Sequence, residues 1–246
     1  MKKIADGIGT FQQRVPVMGQ PFVVYPVVLW DEKSVTLVDT GLYGQMEELV
    51  REIKKTGLSM EQLDTVILTH HDADHTGNLP ALVQAGGGKL EVCASELERP
   101  YIEGTAPTPP AKQEKLDATL ASLPEAARAG AQPIFGASFP APVTRTVQDG
   151  DILPICGGIK VILTPGHTPG HISLYHIASR TLITGDAMIL DSRYLLGPAP
   201  QTATDIDQAV ASLDKLKGLD VAAVVCYHGG FWKGNFANRI AELTKR

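Results

Sequence analysis

At 246 residues the chain is near the upper size for one hydrophobic core, so a single domain spanning 1–246 is expected. With 43% hydrophobic and 20% charged residues, its composition is that of a globular protein and argues against disorder. A net charge of -5 with scattered Lys and Arg argues against nucleic acid as a partner, because nonspecific affinity for phosphates comes from clustered cations.

Met1-Lys2-Lys3 could begin a secretory signal, but Asp6 and Gly7 follow at once and no apolar run of signal or membrane-spanning length appears. Ile8 to Val15, Phe22 to Trp30 and Val35 to Asp39 then read as antiparallel strands, with turns at Pro16 to Pro21 and Asp31 to Lys33. Leu42, Met46, Leu49, Val50 and Ile53 share one helical face, which Gly57 ends. Val66-Ile67-Leu68 is a buried strand that delivers Thr69 and His70 at its carboxyl end. A helix from about His75 to Ala85 and a strand from Lys89 to Cys93 follow.

Residues 103–142 are rich in Pro, Gly and Ala around a helix expected at Ala111 to Ala129; a helix between two long loops is expected to cap a pocket. Val143 to Val147, Ile152 to Cys156, Ile159 to Leu163, His171 to Ile177 and Thr181 to Thr184 form a second run of strands. A helix over Ile206 to Leu216 with Thr204 as N-cap, a strand at Val221 to Cys226 and a helix at Asn235 to Lys245 complete the chain. Each half runs from strands into helices, which predicts two sheets face to face with helices outside. Cys93, Cys156 and Cys226 are widely spaced and odd in number, a pattern that fits a reducing compartment and hence a cytoplasmic protein.

Thr69-His70-His71-Asp72-Ala73-Asp74-His75 places five potential ligands in six positions directly after a buried strand. Neutral imidazole and carboxylate are the donors that hold hydrolytic zinc, manganese or iron. Three further candidates stand at strand ends beside small residues: His167 in Pro165-Gly166-His167-Thr168-Pro169-Gly170, Asp186 in Thr184-Gly185-Asp186-Ala187, and His228 in Tyr227-His228-Gly229-Gly230.

In these elements and in Asp39-Thr40-Gly41 the chain resembles the metallo-β-lactamase superfamily, whose pattern is Asp-Thr-Gly, then HxHxDH, then His, Asp and His after later strands. The resemblance covers about residues 8 to 240 and implies a four-layer αβ/βα sandwich with a dinuclear site at one end of two mixed sheets. It implies that His70, Asp72 and His167 hold a first divalent metal and Asp74, His75 and His228 a second, with Asp186 bridging. Zinc is the leading identity, with manganese or iron as alternatives. Asp72 departs from the family pattern, which has His there. Asp39 is expected to orient the His-rich loop rather than bind metal. His71 should face away from His70, and His171 and His176 should be structural.

The reaction implied is hydrolysis of a small ester, thioester or lactone by metal-bound hydroxide, with Asp74 and Asp186 as catalytic carboxylates. No Gly-x-Ser-x-Gly elbow offers a serine nucleophile. The alternative is a non-haem iron oxidoreductase of the persulfide dioxygenase or diiron kind. Tyr194 is a candidate substrate contact, and residues 103–142 with the loop at Val17 to Gln20 are expected to wall the pocket. The partner expected is a small molecule, with no membrane involved.

Overall fold

The computed structural model describes all residues except Met18, Lys33 and Arg246. Strands β1 (Lys2–Ala5) and β2 (Ile8–Thr10) pair antiparallel, and β3 (Gln13–Val17) with β4 (Gln20–Val24) forms a separate ribbon. Strands β5 (Val27–Trp30) and β6 (Val35–Val38) continue the sheet antiparallel, and β7 (Leu63–Ile67), β8 (Glu91–Ser95) and β9 (Arg145–Val147) extend it in parallel. The second sheet runs through β10 (Ile152–Leu153), β11 (Ile159–Leu163), β12 (Ile172–His176) and β13 (Thr181–Ile183). After a hairpin of β14 (Ile189–Asp191) and β15 (Tyr194–Leu196), it closes with β16 (Ala223–Cys226), parallel to β13, and β17 (Gly230–Trp232).

Strand side chains alternate faces, and the sequence uses both. Val27, Leu29, Val38 and Ile67 of the first sheet pack against Val161, Leu174, Ile183 and Val225 of the second, forming the layer between the sheets. Their neighbours point outward. Val28, Leu37 and Val66 meet Leu49 and Ile53 of α1 (Met46–Lys54). On the other side, Leu182 and Val224 meet Leu213 and Leu216, which lie in the 3₁₀ turn (Leu213–Leu216) after the helix Ile206–Ser212, together with Ile240 of the helix Phe236–Leu243. Strands apolar on both faces require a covering layer on each side, which gives the four-layer order of helices, sheet, sheet, helices that the sequence implied.

Four local expectations change. Pro16 and Pro21 do not break the chain; they face each other across β3 and β4, where a two-stranded ribbon leaves edges that tolerate proline. Met18 and Lys33, which fall in the two turns expected from the sequence, lie outside the described residues. The helix expected from His75 is two pieces, α2 (Ala73–Thr76) and α3 (Leu79–Gly86). At the break, a Cβ on Gly77 would stand 2.3 Å from the Tyr43 nitrogen, and the Asn78 side chain donates to Thr40 and Leu42 carbonyls at 2.7 and 2.9 Å. The helix is interrupted so that the Asp39-Thr40-Gly41 loop can dock on it.

Beyond α4 (Arg99–Ile102), the helix expected at 111–129 is also divided, into α5 (Pro110–Ser122) and α6 (Glu125–Phe135). Pro124 holds Leu123 in an extended conformation. Finally, the N-cap of α7 (Ile206–Ser212) is Asp205, which accepts from the Gln208 nitrogen at 2.9 Å. Thr204 is drawn away because its hydroxyl donates to the His167 carbonyl at 2.9 Å. The last helix, α8 (Phe236–Leu243), is capped by Asn235.

Candidate metal centre

The seven candidate ligands come from loops that leave the carboxyl ends of β7, β11, β13 and β16, where apolar strands surface along one edge of both sheets. Their donor atoms fall into two groups, each with all atoms within 4.8 Å of one another. The first is His70, Asp72, His167 and Asp186; the second is Asp74, His75 and His228. Asp186 reaches across, with Oδ1 at 3.4 Å from His75 Nε2 and Oδ2 at 3.4 Å from both His167 Nε2 and His228 Nε2. Asp72 Oδ2 is 3.3 Å from His70 Nε2 and 3.0 Å from His167 Nε2.

His70 Nε2, His75 Nε2 and Asp186 Oδ1 are buried with no hydrogen-bond partner. Buried polar atoms are nearly always satisfied, so three orphans converging from two separate loops fit a divalent cation bound at this place. The protonation pattern is partly ready for it. Burial, reinforced by neighbouring His75, holds the His70 imidazole neutral, well below its ordinary range. Burial opposes ionisation of Asp72 and Asp186. Lys112, with His70 and His167, outweighs it at Asp72, and His228, His75 and His167 outweigh it at Asp186, so both carboxyls lie well below the usual range. Burial also opposes the charged form of His75, but Asp39, Asp74 and Asp186 raise it well above the ordinary value. A cation binding there displaces that proton.

Two glycines let the loops approach so closely. Gly185 (φ +50°) brings a would-be Cβ within 2.6 Å of His171 Nε2, and Gly229 (φ +99°) within 1.9 Å of the Leu190 carbonyl. No larger residue fits either turn in that conformation.

Around the candidate ligands stands a layer of groups that hydrogen-bond to them or to their loops. Asp39 Oδ2 is 2.9 Å from His75 Nδ1, and Asp39 Oδ1 accepts from the Thr69 nitrogen at 2.8 Å. His171 Nε2 accepts from the Asp186 nitrogen at 3.0 Å, while its Nδ1 meets Thr164 Oγ1 at 2.9 Å. His176 bonds Ser179 and the Cys156 carbonyl, away from the site. His71 turns from His70 toward Glu98, whose carboxylate also accepts from the Gly170 nitrogen at 2.7 Å and so ties the His-rich loop to the His167 loop.

Three of these contacts were not read from the sequence. Glu98 is fully buried, and the tyrosine beside His228, Tyr227, stacks on His75 with ring centroids 3.6 Å apart and donates to the Asp74 carbonyl. The third is Lys112 of α5, fully buried, with Nζ 2.6 Å from Asp72 Oδ2 and 3.2 Å from His167 Nε2. Tyr227 had a signal in its position before a ligand. Glu98 and Lys112 had none, because their partners lie 27 and 40 residues away.

The centre opens into a cavity of about 550 Å³. Residues 103–142 contribute Leu116, Ile134 and Phe135 to its wall, and the β3–β4 ribbon contributes Phe22; among the described residues of the loop expected at Val17 to Gln20, none lines it. Tyr194 is 70% exposed on β15 and does not line this cavity; Ile189 of the same hairpin does.

The chain belongs to the metallo-beta-lactamase superfamily, whose family profile matches residues 19–228. It is 30% identical over 228 residues to the probable metallo-hydrolase YflN of Bacillus subtilis (strain 168), covering 87% of this chain and 82% of that protein. It is 28% identical over 208 residues to the hydroxyacylglutathione hydrolase GloC of Haemophilus influenzae, covering 83% and 84%. Among solved structures, a metallo-beta-lactamase family protein from Thermus thermophilus superposes with a TM-score of 0.71 at 24% identity, over 98% of this chain and 79% of that one. A metallo-beta-lactamase from Pontibacter korlensis superposes at 0.69 and 18% identity, over 100% and 98%. These structural likenesses establish the fold. No helix among the described residues is long and apolar enough to cross a membrane.

Proposed function

We propose that the protein is a dinuclear metal-dependent hydrolase of a small ester, thioester or lactone with an apolar acyl part. The observation that supports this reading is the pair of ligand clusters sharing Asp186 at the floor of an apolar cavity. His70, Asp72, His167 and Asp186 would hold one cation; Asp74, His75, His228 and Asp186 would hold the other. Bound there, two divalent cations supply a water that ionises near neutral pH and polarise a carbonyl oxygen.

The chain's own residues account for the rest. Asp186, by reaching both groups, sets their separation. Without a cation, burial together with Asp186 and Asp72 raises the Asp74 carboxyl above its ordinary value, and a cation held there would displace that proton and keep Asp74 a carboxylate. The cysteines are not alternative nucleophiles: burial pushes the Cys93 and Cys226 thiols up to about 12, far from the thiolate needed for attack.

Phe22, Leu116, Ile134 and Phe135 favour an apolar acyl chain. Lys112 is the sole Lys or Arg among the described lining residues, and it is engaged with Asp72. The cavity thus offers at most one cationic side chain to the two carboxylates of a glutathione leaving group.

The test is a panel of neutral acyl esters, lactones, thioesters, hydroxyacylglutathione, a β-lactam and a phosphodiester, assayed on protein loaded with zinc, manganese or iron. A neutral apolar ester or lactone is expected to exceed hydroxyacylglutathione in kcat/KM by roughly tenfold or more. Hydroxyacylglutathione as best substrate overturns the acyl assignment, and oxygen uptake on a persulfide without hydrolysis overturns the reaction class.

A further inference from the structure

We propose that Lys112 is a resident cation of the first ligand cluster, so that docking of helix α5 over the cavity and loading of a divalent cation among His70, Asp72, His167 and Asp186 oppose each other. The inference rests on reading that cluster as a metal site.

Lysine is rarely buried unless paired, yet Lys112 is fully buried on a helix whose other faces are exposed or half-buried. Its Nζ donates to Asp72 Oδ2 at 2.6 Å and to Thr202 O at 2.8 Å, and lies 3.2 Å from His167 Nε2. Two of these atoms, Asp72 Oδ2 and His167 Nε2, belong to the cluster, and a metal held there would need the same atoms. The second cluster has no such companion; among the described residues no Lys or Arg pairs with Asp74 or contacts His75 or His228.

The pairing depends on Asp72, the one position where the chain leaves the family's HxHxDH pattern. A neutral imidazole there would give Lys112 no counter-charge. With the carboxylate present, lysine and divalent cation seek the same oxygen, and two cations a few ångströms apart in a buried place repel strongly. Loading the cluster therefore requires the lysine to withdraw, which its flexible four-carbon stem permits only by giving up its burial.

Withdrawal would extend beyond one side chain. Lys115, one turn along α5, donates to the Pro200 carbonyl at 3.0 Å and to that of Ala203. Thr204, next in sequence, donates from both its nitrogen and its hydroxyl to the His167 carbonyl at 2.9 Å. Helix α5, the 200–204 segment and a ligand loop are thus one connected unit. Because coupling between two equilibria is reciprocal, whatever factor Lys112 removes from cation affinity, the cation removes from α5 docking.

The experiment is calorimetric titration of metal-stripped full-length protein with Zn²⁺ and Mn²⁺, for wild type, Lys112→Met and Asp72→Ala, with amide hydrogen exchange followed over residues 110–122. The binding class lost in Asp72→Ala identifies the first cluster. Lys112→Met is expected to tighten that class by roughly tenfold or more and leave the other unchanged. In wild type, filling that class should speed exchange in 110–122; in Lys112→Met exchange should no longer depend on metal. Unchanged or weakened binding of that class in Lys112→Met overturns the proposal. Should that variant fail to fold, wild-type exchange decides: no change in 110–122 when the first cluster fills is equally fatal. Uptake of a single equivalent by both wild type and Lys112→Met overturns the two-cation reading itself.

Discussion

Asp39 ties together two parts of the candidate site through one carboxylate. It sits at φ +58°, a left-handed conformation uncommon for a non-glycine residue, and from there its carboxylate reaches His75 Nδ1 and Thr69 together. Asp39→Asn keeps the shape but removes the charge that fixes the imidazole's tautomer. Metal affinity at the second cluster is expected to fall by about 10–100-fold with the fold intact, measured by competition with a chromophoric chelator. His171 makes a complementary case. Burial, aided by neighbouring His167, lowers its imidazole from 6.5 to about 3. Because the folded value lies below the unfolded one, its contribution to stability is complete above about 6.5 and is lost as pH falls toward 3. His171→Gln cannot titrate, so its urea midpoint should fall less steeply than wild type between pH 6.5 and about 4.

At the scale of elements, the ligand-bearing strands were legible because buried strands ending in Gly, Pro and His announce themselves within a few residues. The divided helices were not. Gly77 and Asn78 interrupt α2–α3 on account of Thr40 and Leu42, more than thirty residues earlier, and no local propensity records that demand. Pro124, by contrast, was a visible break that periodicity obscured, since Leu116, Leu120 and Leu123 continue an apolar spacing up to it. The helical pair α5–α6 places Leu116 and Phe135 in the cavity wall. Phe135→Ala is expected to raise KM for long acyl chains several-fold, with little change for acetyl substrates, because only the long chain uses that apolar surface. Steady-state kinetics over a chain-length series measures this, and a uniform loss across all lengths would place Phe135 in structural support of the site.

For the molecule as a whole, the layer between the two sheets carries both stability and the site, since the ligand loops emerge from the strands that build it. Leu174 of β12 is fully buried there against side chains of both sheets. Leu174→Ala is expected to cost about 2–5 kcal/mol, measured by denaturant unfolding of the metal-free protein. A loss well below about 1 kcal/mol would mean that the layer collapses around the gap.

By itself the sequence determined the two runs of strands, the outer helices and the candidate ligands, because periodicity and ligand-rich strand ends are written in neighbouring residues. The resemblance to a known family then supplied the order in which those ends meet. Only the tertiary structure decided that Asp72 faces a buried lysine, that Glu98 joins two ligand loops and that Tyr227 braces His75. Each of those is a contact between segments that folding alone brings together, and the strength of a buried charge depends on the partners and the solvent exclusion that packing creates.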